Sequence, residues 1–335
     1  MEISLHLGLH KTGSTALQQW LGGATRRATS ARYFFDSYIE LEHVPSSQWL
    51  AKVRRQAARR HLILSCEGAL GSMRRAYANL DERLDILALA LRGLDLHVVI
   101  FVRPQLAWLE SAYAQVLSEG KSVEPECFLD EARASEYIYW GRLVDRVREA
   151  LEPSRLSVVP YSSQTVVPDF CDAIDLEVPD GGADIRANRS MSLERSLAVG
   201  PLSASLNEDW RDVRFLLQSM VPPVDGLERV SPFSPSTQEE ILVAYRSEWE
   251  QVGGLARDAS DVEVFRKAWF AESSLRPHSY RDPSDVDVRL FGEYLALASH
   301  LFASSSVRRR RQIFLLAHDR PHLFAYIKRR LRALS

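Results

Sequence analysis

The chain has 335 residues, 46% of them hydrophobic and 26% charged, which excludes a disordered or low-complexity chain and suits one large domain, alone or with an appendage. A net charge of −2 supplies no field that would draw the chain to nucleic acid or a membrane surface. The three cysteines, Cys66, Cys127 and Cys171, match neither zinc spacing nor a disulfide framework, and no apolar run approaches the roughly 20 residues of a membrane span.

Reduced, buried cysteines and a start that lacks the basic region of a secretory leader lead us to expect a cytoplasmic protein with no membrane span. In chain order, Ile3–Leu9 alternates and then runs apolar, the pattern of a buried strand opening into a turn at Gly8 and Gly13. Ser14–Leu21 follows with Ala16, Leu17, Trp20 and Leu21 at helical spacing, and Gly22-Gly23 is expected to end it. Tyr33–Phe35 is a possible short strand and Trp49–Arg60 a helix. His61–Ser65 is a second buried strand, followed by Cys66 and Glu67. Arg75–Arg92 is an amphipathic helix stopped by Gly93.

Leu96–Val102, LHVVIFV, has the strongest strand signal and reads as covered on both faces, as in a parallel sheet. Arg103 and Pro104 end it. Leu106–Leu117 and Tyr137–Leu151 read as helices, and Arg155–Tyr161 as a further strand. The aromatic stripe Tyr137, Tyr139, Trp140 has helical spacing, so its rings are core or wall an acceptor cleft. Strands alternating with helices predict a three-layer α/β fold with a central parallel sheet over about 1–195, then a mainly helical region over 196–335 packed on the core. The basic end, Arg308–Arg311 with Lys328, Arg329, Arg330 and Arg332, is a solvated helix face or an edge for an anionic acceptor.

Two junctions carry the chemistry. In Gly8-Leu9-His10-Lys11-Thr12-Gly13-Ser14-Thr15 a strand passes into a helix. The first helical amides there lack internal partners and sit at the positive end of the helix dipole, which makes the junction an anion site. Gly13 admits a phosphate close to the backbone, Ser14 and Thr15 add hydroxyls, and Lys11 adds a full charge. An NTP-hydrolysing loop would need Lys where Ser14 stands. At the second junction, Arg103 closes the best strand and Ser111 lies eight residues on. Ligands of open parallel sheets bind beyond the strands' carboxyl ends, and a guanidinium suits a bidentate phosphate contact.

LGLHKTGSTALQQWL resembles the 5′-phosphosulfate-binding loop of the sulfotransferases that use 3′-phosphoadenosine-5′-phosphosulfate (PAPS), especially the bacterial and carbohydrate-directed types. VVIFVRPQLAWLESAYAQ resembles their 3′-phosphate-binding strand and helix. The resemblance covers about 1–195 and implies a P-loop-like fold. It implies that the amides from Thr12 through Gly13, Ser14 and Thr15 to Ala16 cradle the 5′-phosphosulfate. It further implies that Lys11 contacts the bridging oxygen, and that Arg103 and Ser111 bind the 3′-phosphate.

A base must take the acceptor's proton. Glu67, after the strand that lies between the two motifs in chain order, holds the place where the resembled family can carry a catalytic His or Glu. A helix cap or structural ion pair would equally account for it. His10 beside Lys11 is the second candidate, and Glu42 and His43 lie where other branches place their base. Arg186 and Arg189 are loosely placed for a basic loop on the 3′-phosphate. PAPS would be the donor and adenosine 3′,5′-bisphosphate (PAP) the product, with no metal required. The acceptor would be a hydroxyl or amine of a small molecule or glycan, with carbohydrate favoured. The competing readings are a P-loop kinase and a non-catalytic nucleotide-binding module.

Overall fold

The computed structural model describes residues 2–27, 34–36, 47–58, 61–119, 121, 123–176, 193, 196–197, 230–253, 266–267, 269 and 279–280. The chain opens with β1 (Glu2–Gly8), α1 (Ser14–Arg27), β2 (Phe34–Asp36), α2 (Ser47–Ala57) and β3 (Leu62–Glu67). It continues through a 3-10 turn at Met73–Arg75, α3 (Leu80–Leu91), β4 (Asp95–Val102), α4 (Gln105–Ser118) and α5 (Pro125–Arg133). A second 3-10 turn, Glu136–Ile138, leads to α6 (Trp140–Leu151), β5 (Arg155–Pro160) and α7 (Val166–Ala173). Further on come β6 (Val230–Ser231), α8 (Pro235–Ala244), α9 (Glu248–Gly253) and β7 (Ser279–Tyr280).

The first five strands form one parallel sheet in the order β2-β3-β1-β4-β5. Every β4 residue after Asp95 is buried, so both faces of the central strands are covered, as parallel strands require. Right-handed crossovers send α1 to one face and α3 and α6 to the other. In agreement, α1 packs against α7 and α3 against α6. The α1–α7 face is a core of Leu17, Trp20 and Leu21 with Val166, Val167 and Phe170, laid over Ile63, Val99 and Phe101. This is the layered α/β fold expected from the sequence.

Several elements differ from expectation. α1 runs through Gly22-Gly23 to Arg27; a glycine weakens a helix by about 1 kcal/mol, and the buried Leu17, Trp20 and Leu21 fix the helix before it reaches them. The single helix expected over Arg75–Arg92 is broken. Ala76 and Tyr77 take left-handed φ values of 41° and 62°, and the fully buried Tyr77 ring holds the chain there. The stretch Tyr137–Leu151 likewise divides into a 3-10 turn and α6. α5 and α7 were not anticipated. Cys127 is exposed rather than buried, while Cys171 is buried, which pushes its thiol up to about 12.

The chain divides into two compact units. Met1–Ala112, Glu126–Ser190 and Pro235–Pro277 form one, which contains the five-stranded sheet, and Tyr113–Pro125, Met191–Ser234 and His278–Ser335 form the other. In the first, the buried carboxylate of Glu248 accepts from the Gly141 amide at 3.3 Å and from Gln105 Nε2 at 3.3 Å, so α9 caps the start of α6. In the second, β6 pairs with β7 in parallel and Tyr113 lies against Phe233 at 6.3 Å between centroids. Most of 196–335, including the basic end, lies outside the described residues. Among them no helix is long and apolar enough to cross a membrane.

Candidate active site

The sheet itself marks a binding crevice. The connection after β1 leaves toward β2 and β3, and the one after β4 leaves the opposite way, to β5. The gap between the carboxyl ends of β1 and β4 is therefore the topological switch point, where open parallel sheets take ligands. The segment after β1 is the glycine loop, and the residue after β4 is Arg103.

The loop is tightly built. Thr12, fully buried, donates from Oγ1 to the Leu9 carbonyl at 2.6 Å. Lys11 and Gly13 both have left-handed backbones, φ 69° and 79°; for the lysine this costs about 1–2 kcal/mol, strain of the kind that collects at functional sites. The first bond of α1 runs from the Leu17 amide to the Gly13 carbonyl at 3.1 Å. The amides of Ser14, Thr15 and Ala16 precede it and have no helical acceptor. Ser14 is 2% exposed, and its Oγ has no partner among the described residues. A Cβ on Gly8 would come within 2.3 Å of that Oγ and 3.3 Å of His6 Cε1, and one on Gly13 within 2.8 Å of Tyr161 Cε2. Side chains thus already fill the space that a side chain at either glycine would need.

Beneath the loop lies a neutral floor. His6 Nδ1 pairs with Ser65 Oγ at 2.9 Å, and Gln18 donates to the same hydroxyl at 3.2 Å. Burial pushes the imidazole down to about 3, and its Nε2 has no partner among the described residues. Edge-on contacts with Phe101 and Phe170 hold the ring.

Arg103 meets the loop through Tyr161. Its guanidinium lies over the Tyr161 ring, 5.6 Å from the centroid, a cation–π distance. The Cε2 edge of the same ring lies against Gly13, 2.8 Å from where a Cβ there would stand. The Tyr161 amide donates to the Val102 carbonyl at 2.7 Å, fixing it one step past β5 as Arg103 is one step past β4. Ser111 is half-buried on α4.

The base candidates are placed by backbone and neighbours. Glu67, the last residue of β3, is in register with Gly8 at the foot of the loop. The His10 ring stands by the next residue, since a Cβ on Gly68 would lie 3.9 Å from its Cε1 and Nε2. His10 Nδ1 is also 3.4 Å from the Tyr77 hydroxyl. The structure therefore brings the Glu67–Gly68 corner, His10 and the lysine loop together. Glu42, His43, Arg186 and Arg189 lie outside the described residues. Trp140 is fully buried core, and the buried Tyr137 donates to Asp81 at 2.6 Å, so neither ring is open to an acceptor.

Sequence reasoning missed His6, Tyr77, Trp108 and Tyr161. Tyr161 was recoverable, because it follows its strand as Arg103 does; the others are identified by contacts between segments far apart in the chain. No family model matches the sequence, and a comparison with curated proteins returned no match. Among solved structures, a mouse sulfotransferase, SULT7A1, complexed with PAP, is similar at 13% identity and a TM-score of 0.39, over 79% of this chain and 88% of that one. So distant a likeness leaves the fold to rest on the sheet order and the chemistry on the loop.

Proposed function

We propose that the chain is a sulfotransferase that takes PAPS as donor and transfers its sulfuryl group to a hydroxyl or amine, with a glycan as the favoured acceptor. The observation that carries this reading is Ser14: a hydroxyl 2% exposed and unpartnered among the described residues, at the N-terminus of a 14-residue helix, beside three amides without helical acceptors. A buried unpaired hydroxyl costs about 1–3 kcal/mol, and an anion seated on the loop would satisfy it together with the amides. Arg103, joined to the same loop through Tyr161, supplies the second anion contact, and Ser111 adds a hydroxyl on the helix that follows.

In the proposed reaction the acceptor oxygen or nitrogen attacks sulfur in line. The bond between sulfur and the 5′-phosphate oxygen breaks, and PAP leaves with the bonding electrons. Lys11 and the loop amides stabilise the charge that builds on that oxygen. The acceptor's proton passes to Glu67, with His10 at the same corner as the alternative base.

Melting curves with PAP and with ATP plus Mg²⁺ test the donor. A ligand at a hundred times its Kd stabilises the native state by about 2.7 kcal/mol, so PAP should raise Tm by several degrees and ATP far less. Equal shifts would favour a kinase. With labelled PAPS and a screened acceptor, Glu67→Gln should lower kcat about 10²–10⁴-fold with donor affinity unchanged. Unchanged turnover on a weakly acidic alcohol would move the base to His10, Glu42 or His43.

A further inference from the structure

Between the glycine loop and the Arg103 turn lies an aromatic bridge that the proposed chemistry does not use. The Trp108 indole N–H donates to the His10 carbonyl at 3.1 Å, and the Trp140 indole N–H donates to the Arg103 carbonyl at 2.6 Å. The two indoles meet edge to face, 5.3 Å between centroids and 82° between planes. Tyr77 leans on both, at 5.9 and 6.4 Å, and its hydroxyl accepts the His10 amide at 2.9 Å. All three rings are 0% exposed.

The peptide groups on either side of His10 are thus both held, the N–H of the first by Tyr77 and the C=O of the second by Trp108, immediately before Lys11. The Arg103 carbonyl is held by the other indole. Neither carbonyl lies in a strand ladder, so each needs a partner from elsewhere, and a buried indole N–H needs an acceptor just as much. Trp108 is itself fixed by its own amide, which donates to the Pro104 carbonyl at 3.0 Å. A rigid path therefore runs from His10 through two rings to Arg103.

We infer that Tyr77, Trp108 and Trp140 are positioning residues that fix the separation of the two anion anchors, so that the site selects donors phosphorylated at both the 5′ and 3′ positions. The inference rests on the sulfotransferase reading above. A ligand with two anionic groups gains from the second contact only if both anchors are held at its own span; where the anchors drift, the gain is lost to ordering. A ligand with one anionic group uses one anchor and is indifferent to the spacing.

The test is calorimetric titration of the full-length chain with PAP, adenosine 5′-monophosphate and adenosine 3′-monophosphate. Trp108→Phe and Trp140→Phe keep a ring and remove the N–H. Each should raise the Kd for PAP at least tenfold while leaving both monophosphates within twofold of wild type. Leu84→Ala, a core truncation on α3, serves as the control: with a similar loss of Tm it should weaken all three ligands alike or none. If a tryptophan variant does not fold, Tyr77→Phe, which loses only the hydroxyl that takes the His10 amide, should show the same selective loss in smaller measure. PAP and the monophosphates weakening together in the aromatic variants, or PAP left unchanged, would overturn the inference. A wild-type chain that binds neither PAP nor the monophosphates would overturn the reading of the site itself, and this inference with it.

Discussion

Ser14 and Thr12 stand two residues apart in the same loop, and each is buried. Thr12 uses its hydroxyl internally, on the Leu9 carbonyl, and so closes the loop; Ser14 Oγ has no partner among the described residues. That difference predicts opposite signs for one substitution. Ser14→Ala removes an unsatisfied buried hydroxyl, which ordinarily costs about 1–3 kcal/mol, so the unliganded protein should melt a few degrees higher. The same variant should bind PAP less tightly, because a donor to the anion is gone. Melting curves with and without PAP measure both. A lower Tm without ligand would show that the hydroxyl contributes to the fold. The Ser14 hydroxyl was legible in the sequence as an anion ligand. That the Thr12 hydroxyl serves the loop instead was not, since it depends on the carbonyl that the loop's own turn brings to it.

At the scale of elements, the strand–loop–helix unit of β1 and α1 works because its backbone makes two left-handed steps, at Lys11 and Gly13, and passes close to Ser14 and Tyr161. Gly13→Ala should therefore fail on two counts. An alanine at φ 79° is strained, and its Cβ would press on Tyr161 Cε2 at 2.8 Å and Val166 Cγ2 at 3.1 Å. Loss of about 1–2 kcal/mol from the backbone alone is expected, with more from the contacts, and PAP affinity should fall because the ring between loop and Arg103 is displaced. Unchanged urea unfolding and unchanged PAP binding would contradict this account. Gly22 and Gly23 show the converse. They were expected to stop α1, yet the helix passes through them, because buried apolar residues ahead of them outweigh a weak local preference.

At the scale of the molecule, buried imidazoles couple stability to pH. Burial holds His6 at about 3 and, as the leading cause, holds His97 at about 4, both below an ordinary 6.5. Between those values the unfolded chain binds protons that the folded chain does not. The stability from keeping them neutral is thus full above pH 6.5 and is lost as pH falls toward 4 and then 3, by up to about 1.4 kcal/mol per pH unit for each group. Glu248 runs the other way: burial raises its pKa above 4.5, so its ionisation costs stability as pH climbs through the range just above that value. His6→Phe leaves His97 and Glu248 in place, and the difference between its unfolding free energy and that of wild type should shrink or reverse between pH 6.5 and 4. A difference that does not vary with pH would mean that His6 titrates normally.

The sequence by itself determined the alternation of strands and helices, the glycine loop and Arg103 at the end of its strand, because apolar period and turn residues are local signals. It did not determine that Tyr161 joins Gly13 to Arg103, that Trp108 and Trp140 carry the loop carbonyls, or that Tyr77 breaks a helix to reach His10. Those contacts join residues whose separation in the chain ranges from 37 to 98 positions for the bonded pairs. No window of sequence contains both partners, and only closure of the sheet, with helices on both its faces, brings them within bonding distance.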